Sequence, residues 1–186
     1  PLLVAADRGR IAGDSSAQTW VVIASDFQCP YCREWHAGTY RKLVDEYVRT
    51  GKVRVAYLNF PLGQHRNAVP VANGAMCASA QNRFWEYHDE LFATQERWSQ
   101  MADARPLMDS IARLVKVDIP SWTECVESRR MLPLITADRD RAAAGGVEST
   151  PTFLIGTQAM RGALSIERMR PVIDAAIAAD RSGAPQ

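Results

Sequence analysis

The sequence has no apolar run approaching the roughly 18–20 residues that cross a bilayer, so no membrane-spanning helix is expected. It has no block of Lys or Arg, and its formal net charge is +1. That excludes the basic footprint of a nucleic-acid or anionic-surface binder. Lysine is scarce, outnumbered by arginine 19 to 3, a skew that genome base composition explains as readily as function. There is no internal repeat and no low-complexity linker. No Met stands at Pro1 and no signal peptide is visible. The expectation is a processed chain from which any targeting segment has been removed. Cysteines number four, which permits two disulfides without requiring them.

What is present is ordinary globular composition, 47% hydrophobic and 23% charged, over 186 residues. One sizeable domain, or a small domain carrying an insertion, fits that length. Residues 1–17 are mixed, with a turn signal at Gly13-Asp14-Ser15-Ser16. Residues 20–24 form a continuous apolar run, as a strand buried on both faces would. From Cys29 onward Trp35, Thr39, Leu43 and Tyr47, with Tyr40, Val44 and Val48, repeat at helical spacing until Gly51. Residues 53–60 read as a second strand. The chain then turns almost wholly helical, over 69–80, around 84–92, 107–115, 121–128 and 134–144, the last stopping at Gly145-Gly146. Strands return at 152–155 and 158–161, followed by a helix over 166–180 that Pro171 should kink or restart. The order predicts an α/β fold interrupted by a helical insertion: residues 1–63 and 146–186 form one domain around an inserted block, 64–145.

The chemistry centres on Asp26-Phe27-Gln28-Cys29-Pro30-Tyr31-Cys32. A lone C-x-x-C also serves metal sites, but here it lies between a strand and a helix. Cys29 then stands where unpaired backbone N–H groups and the helix dipole favour a thiolate. Lowering a thiol by three pH units takes about 4 kcal/mol, whereas a helix terminus contributes ~0.3–2 kcal/mol. Direct hydrogen bonds, from the backbone N–H groups of Tyr31 and Cys32, are needed for the rest. Far downstream, Ser149-Thr150-Pro151-Thr152-Phe153 puts a proline before an apolar strand, which suits an edge or a special turn. A cis peptide is affordable there and could bring Thr150-Pro151 against the Cys29 sulfur. The competing readings are an inert disulfide and half of a zinc site. Zinc would need two more ligands, and Cys77 and Cys125 form no second C-x-x-C.

The cysteine stretch, together with Gly146-Val147-Glu148-Ser149-Thr150-Pro151-Thr152-Phe153, resembles the DsbA-like thiol-disulfide oxidoreductases. These have a thioredoxin fold with a helical insertion. The match is close over residues 10–63 and 145–181 and loose in the insertion, where Phe84-Trp85, His88 and Leu91-Phe92 fit best. The resemblance implies that Cys29 is the attacking, solvent-facing thiol and Cys32 the resolving one. Pro151 would be the cis-proline, and Thr150 would offer backbone groups to an extended substrate. Pro30 and Tyr31 would complete the substrate-facing wall. It also implies cysteine-containing unfolded or partly folded protein substrates and an extracytoplasmic, bacterial setting. A membrane quinone reductase would recycle the protein, and no metal or organic cofactor is needed. The family's first strand usually carries a buried carboxylate six residues before the first cysteine, where this chain has Ile23. A proton relay must then come from water, Asp26 or Glu34.

Three expectations concern the remaining residues. Cys77 and Cys125 are expected to form a structural disulfide tying two inserted helices, which would argue for an oxidising compartment; two buried free thiols are the alternative. The histidines make no joint site: His36, one turn past Cys32, is a modulator of the thiolate or simply exposed, His88 is a packing residue, and His65 is loop. A monomer is expected, since nothing N-terminal is long enough for a separate dimerisation domain. Two other functions compete with disulfide introduction. One is a disulfide isomerase or reductase, with which Pro-Tyr and Thr150 are compatible; the other is a non-catalytic peptide-binding or chaperone module using the Thr150-Pro151 edge.

Overall fold

The computed structural model describes residues 1–182; the last four residues of the expected 146–186 segment lie outside the described residues. Five strands make the sheet: β1 (Ile11–Ala12), β2 (Thr19–Ser25), β3 (Val53–Asn59), β4 (Thr152–Ile155) and β5 (Gln158–Arg161). Their order is β1-β3-β2-β4-β5, with β2 and β3 parallel and every other pairing antiparallel. The parallel pair needs a crossover, and the helix beginning at Pro30 supplies it.

In β3 the period-two alternation is clean: Val53, Val55, Tyr57 and Asn59 are buried and the residues between them half-buried. β2 departs from the expected burial on both faces, because Trp20 and Val22 are only half-buried. They line an open apolar groove with Ala56, Leu58 and Leu154, and the Arg54 guanidinium lies 4.1 Å over the Trp20 ring. The opposite face holds a core of Val21, Ile23, Val53, Val55, Phe153 and Ile155. It is covered by the crossover helix and by the C-terminal helix through Trp35, Leu43, Met169 and Ile173.

The crossover helix starts as α2 (Pro30–Trp35) and runs on through a π-turn at His36–Tyr40, a short α segment at Arg41–Leu43 and a second π-turn at Val44–Val48. The spacing explains this. Trp35, Thr39, Leu43 and Tyr47 recur every four residues, and a helix of 3.6 residues per turn carries such a row about 40° round its axis at each step. The wider π-turns return the row to the sheet.

Residues 1–17, read as mixed, in fact contain α1 (Leu2–Gly9) and β1. The pattern was hidden because α1 buries Ala6 alone and exposes Leu2, Leu3 and Val4. Between β3 and β4 come α3 (Ala68–Ser79), α4 (Phe84–Ala93), α5 (Gln95–Trp98), α6 (Arg105–Leu114), α7 (Ile119–Glu127) and α8 (Leu132–Ala144). Gly146, at φ +82°, takes the left-handed conformation just past α8. The last helix, α9 (Ile166–Ser182), runs through Pro171 without the expected restart. The carbonyl that Pro171 leaves without a donor belongs to Glu167, and both residues are exposed, so water can satisfy it. β4 is not an edge either, since β2 and β5 flank it; Pro151 belongs to a turn, its carbonyl accepting from Gly162 N–H at 2.9 Å.

Candidate active site

Cys29 is the N-cap of α2, its backbone extended (φ −70°, ψ 125°), and Pro30 follows at the start of the helix. Both choices suit the local chemistry: proline has no N–H to leave unpaired in the first turn, and its fixed φ is already helical. The sulfur meets the backbone N–H groups of Tyr31 and Cys32. Across from it the Thr150-Pro151 peptide is cis, and the Cys29 thiol donates to the Thr150 carbonyl at 3.5 Å. The expected solvent-facing thiol is therefore corrected in one respect: Cys29 is only 3% exposed, because Thr150 and the helix start close over it. Tyr31, 62% exposed, is the open member of the group.

The two thiols, both unpaired, are driven apart. The Cys32 S–H hydrogen bond pulls Cys29 down to about 6. Burial opposes this, while the Thr150 side chain and the two backbone N–H groups assist. Burial pushes Cys32 well above the ordinary thiol value, and its partner Cys29 pushes it further. The Asp26 backbone and the Ser25 hydroxyl oppose that rise. The Thr150 hydroxyl is buried without a well-formed hydrogen bond of its own.

The loop before Cys29 is pinned by Asp26, which the sequence offered as a proton relay, and by Gln95 and Gln28, whose roles sequence reasoning overlooked. Gln95 Nε2, on α5, donates to the Phe27 carbonyl at 2.6 Å and to the Cys29 carbonyl at 2.9 Å. Gln28 reaches the insertion twice, donating to the Ser99 carbonyl and accepting from Asn67 N–H. Asp26 is buried and accepts from Gln28 N–H at 2.7 Å, Leu62 N–H at 2.9 Å and His65 Nδ1 at 2.7 Å. His65 is thus more than loop; the sequence held no local signal for a contact 39 residues away. Ile23, at the position of the usual carboxylate, is buried among apolar side chains.

This pair of unequal thiols at a helix start, facing a cis-proline turn across a mixed sheet, has counterparts among known proteins. A thioredoxin family model matches residues 5–175. The chain belongs to the thioredoxin family. A probable disulfide bond formation protein D of Bacillus anthracis is 28% identical over 146 residues, covering 77% of this chain and 67% of that protein. A Na(+)/H(+) antiporter NhaA 3 of Salinispora tropica is 32% identical across 94% of this chain, a match spanning 26% of the antiporter. The crystal structure of oxidised BdbD from Bacillus subtilis superposes with a TM-score of 0.83 at 18% identity, covering 92% of this chain and 94% of that one. Wolbachia pipientis alpha-DsbA1 gives 0.80 at 20% identity, covering 91% and 90%. The fold is that of the DsbA-like members of the thioredoxin family.

In this thioredoxin-family chain two of the three histidines, His36 and His88, do meet, contrary to expectation, while His65 stays apart on Asp26. His36 is half-buried, stacked 5.0 Å from both Tyr40 and Phe92, and its Nε2 lies 3.0 Å from Asp89 Oδ1. His88 Nδ1 reaches the same oxygen at 2.8 Å. Helical spacing alone could not show that α4 lays its aromatic face on the crossover helix. Burial draws His88 down to about 4. Asp89 lies well below the carboxylate range: burial raises it, but the hydrogen bonds from His36 and His88 outweigh that. A carboxylate can only accept, so both rings donate to it. Among the described residues His36, His88 and Asp89 also form the group of side chains close enough together to hold a metal ion. Pro30, Tyr31, Glu34, His36 and Phe92 line an open groove of about 750 Å³ beside the cysteines, so two of the three expected modulators, His36 and Glu34, face it and the third, Asp26, does not. Cys77 on α3 and Cys125 on α7 are joined by a disulfide.

Proposed function

We propose that this chain introduces disulfides into proteins outside the cytoplasm through the Cys29–Cys32 pair. The chain is a protein thiol-disulfide oxidoreductase. The observation that carries the direction is the inequality of the two thiols: a dithiol whose Cys29 is a thiolate at neutral pH is a stable product, so electrons flow toward it. A substrate thiolate attacks the oxidised pair at the Cys29 sulfur, giving a mixed disulfide and freeing Cys32. A second substrate thiol displaces Cys29, and the enzyme leaves reduced. Thr150 and Pro151 receive the substrate backbone as an added strand, and the groove along Pro30 and Tyr31 takes its apolar side chains. Asp26 holds the loop that presents Cys29, with residues 64–145 as an inserted helical domain between 1–63 and 146–186.

The substrates are cysteine-containing unfolded or partly folded proteins. A membrane quinone reductase restores the disulfide, and the protein works as a monomer without metal or organic cofactor. The Cys77–Cys125 disulfide supports an oxidising compartment. The reduction potential against glutathione tests the direction. A value near the ~−120 mV of the oxidising, DsbA end of the scale supports the reading. A value near ~−200 mV or lower, with strong isomerisation of scrambled ribonuclease and negligible oxidation of reduced ribonuclease, overturns it in favour of an isomerase or reductase. Cys29→Ser separates chemistry from binding, since a peptide-binding module would keep its activity and an oxidoreductase would lose all turnover.

A further inference from the structure

Cys32 has a proton to exchange at every turnover and is sealed from solvent. When the first substrate thiolate attacks Cys29, the S–S bond breaks and its electron pair leaves on Cys32. The second substrate thiolate then displaces Cys29 as a thiolate, and two electrons have passed to the enzyme. Of the two protons released by the substrate pair, one goes to water and the other must reach Cys32. That residue is 1% exposed, and the strand position that could have offered a carboxylate holds Ile23.

Ser25, at the end of β2, neighbours both the Cys32 thiol and the Tyr57 phenol. Ser25, Asp26, Tyr57 and Asn59 line one narrow cavity, too tight for a water molecule. In its wall the Tyr57 hydroxyl and Asn59 Oδ1 are both buried without a well-formed hydrogen bond, although more than about 90% of buried polar groups are paired. A hydrogen bond fully made in the resting dithiol would fix the phenol, whereas an unmade one leaves its proton free to turn toward Ser25. The same wall reaches solvent through Asp26, whose carboxylate is paired with His65, a side chain 18% exposed.

We propose that Ser25 exchanges the Cys32 proton, and that Tyr57 is the positioning residue linking it to Asp26–His65 and so to water. The inference rests on the dithiol reading above. On substrate oxidation the proton moves from Ser25 Oγ to the Cys32 sulfur as the Tyr57 phenolic proton replaces it. The phenol is refilled from water through the Asp26–His65 pair. On reoxidation each transfer reverses, and Cys32 attacks as the thiolate. The titratable groups around the Cys32–Tyr57 pair are Cys29, Asp26 and, from α4, His88, whose ring lies edge-on 5.5 Å from the Tyr57 ring.

The two thiols can be timed separately. Reduced protein mixed with dithiobis-nitrobenzoate releases one thionitrobenzoate when Cys29 attacks and a second when Cys32 displaces the reagent from Cys29. Ser25→Ala and Tyr57→Phe are expected to keep the first release at the wild-type rate. They should slow the second by roughly tenfold or more and move its pH profile upward; Ser25→Thr should restore it. A second release within about twofold of wild type in both variants, with an unchanged pH profile, overturns the relay. Equal slowing of both releases, as a merely structural lesion would give, overturns it too. Should Ser25→Ala fail to fold, Tyr57→Phe and Ser25→Thr carry the test. A wild-type first release no faster than that of free cysteine would sink the dithiol reading itself and not the relay alone.

Discussion

At Cys29 the helix start, the Thr150 side chain and the Cys32 thiol converge on one sulfur and favour its ionised form, while the Thr150 carbonyl accepts from the neutral thiol. Holding that thiol at about 6, against an ordinary value of 9, stabilises the folded dithiol form by at most about 4 kcal/mol. The sign follows from the depressed value. The gain is complete above pH 9, where the unfolded thiol is also ionised, and is lost as pH falls through 6. Cys32 acts in the opposite sense, but only where an unfolded thiol would ionise, near and above pH 9. The disulfide form lacks both groups. The stability difference between dithiol and disulfide forms should therefore grow by about 2 kcal/mol in favour of the dithiol from pH 6 to 8. Urea unfolding of each form at the two pH values checks this, and a flat difference would show that Cys29 is not a low-pH thiolate. The cysteine spacing and the distant Thr150-Pro151 were legible in the sequence because each is a local motif. Ser25, Tyr57 and His65 were not, because what marks them is a burial and a neighbour that arise only on folding.

The elements that hold the site are mostly not the ones that carry it. β2 and the crossover helix deliver Cys29, but the loop joining them is fixed by Gln95 from α5, which satisfies two of its carbonyls. Truncating Gln95 removes the side-chain donor from the Phe27 carbonyl and leaves the Cys29 carbonyl with Arg33 N–H alone, a loss of about 1–3 kcal/mol. It also frees the residue that caps α2. Gln95→Ala should thus lower the melting temperature and also raise the pH at which Cys29 is alkylated by iodoacetamide. A fall in stability with an unmoved alkylation profile would mean that the helix start holds itself. Strand and helix order could be read from hydrophobic period. The π-turns were visible only as a four-residue spacing, and α1 not at all, since it turns one small side chain inward. The aromatic pairing of α4 with the crossover helix, through His36, Tyr40, Trp85 and His88, depends on how two helices cross, which no single-helix pattern encodes.

Across the whole molecule, the two free cysteines belong to the core of the inserted helices as much as to the sheet. Cys29, Cys32, Phe27 and Tyr57 share one buried cluster with Met76, Cys77, Leu91, Trp98, Trp122 and Cys125. The sheet side is independently braced: the buried Arg10 at the end of α1 pairs with Asp138 on α8, which also accepts from Asn59 at the end of β3. The Cys77–Cys125 disulfide therefore closes a chain loop inside the cluster that contains the site, yet lies on α3 and α7, away from the groove at Tyr31. A bridge across a sequence separation of 48 contributes about 4 kcal/mol in the chain-entropy treatment. For a chain of this size that corresponds to roughly 8–16 °C in melting temperature. Replacing both cysteines with alanine should lower the melting point by that order while leaving Cys29 alkylation at neutral pH near the wild-type rate, because none of the contacts on the Cys29 sulfur comes from α3 or α7. Thermal unfolding and alkylation of the same samples measure both. Loss of the rapid Cys29 reaction at temperatures where the variant is still folded would show that the bridge shapes the site and does not merely stabilise the insertion around it.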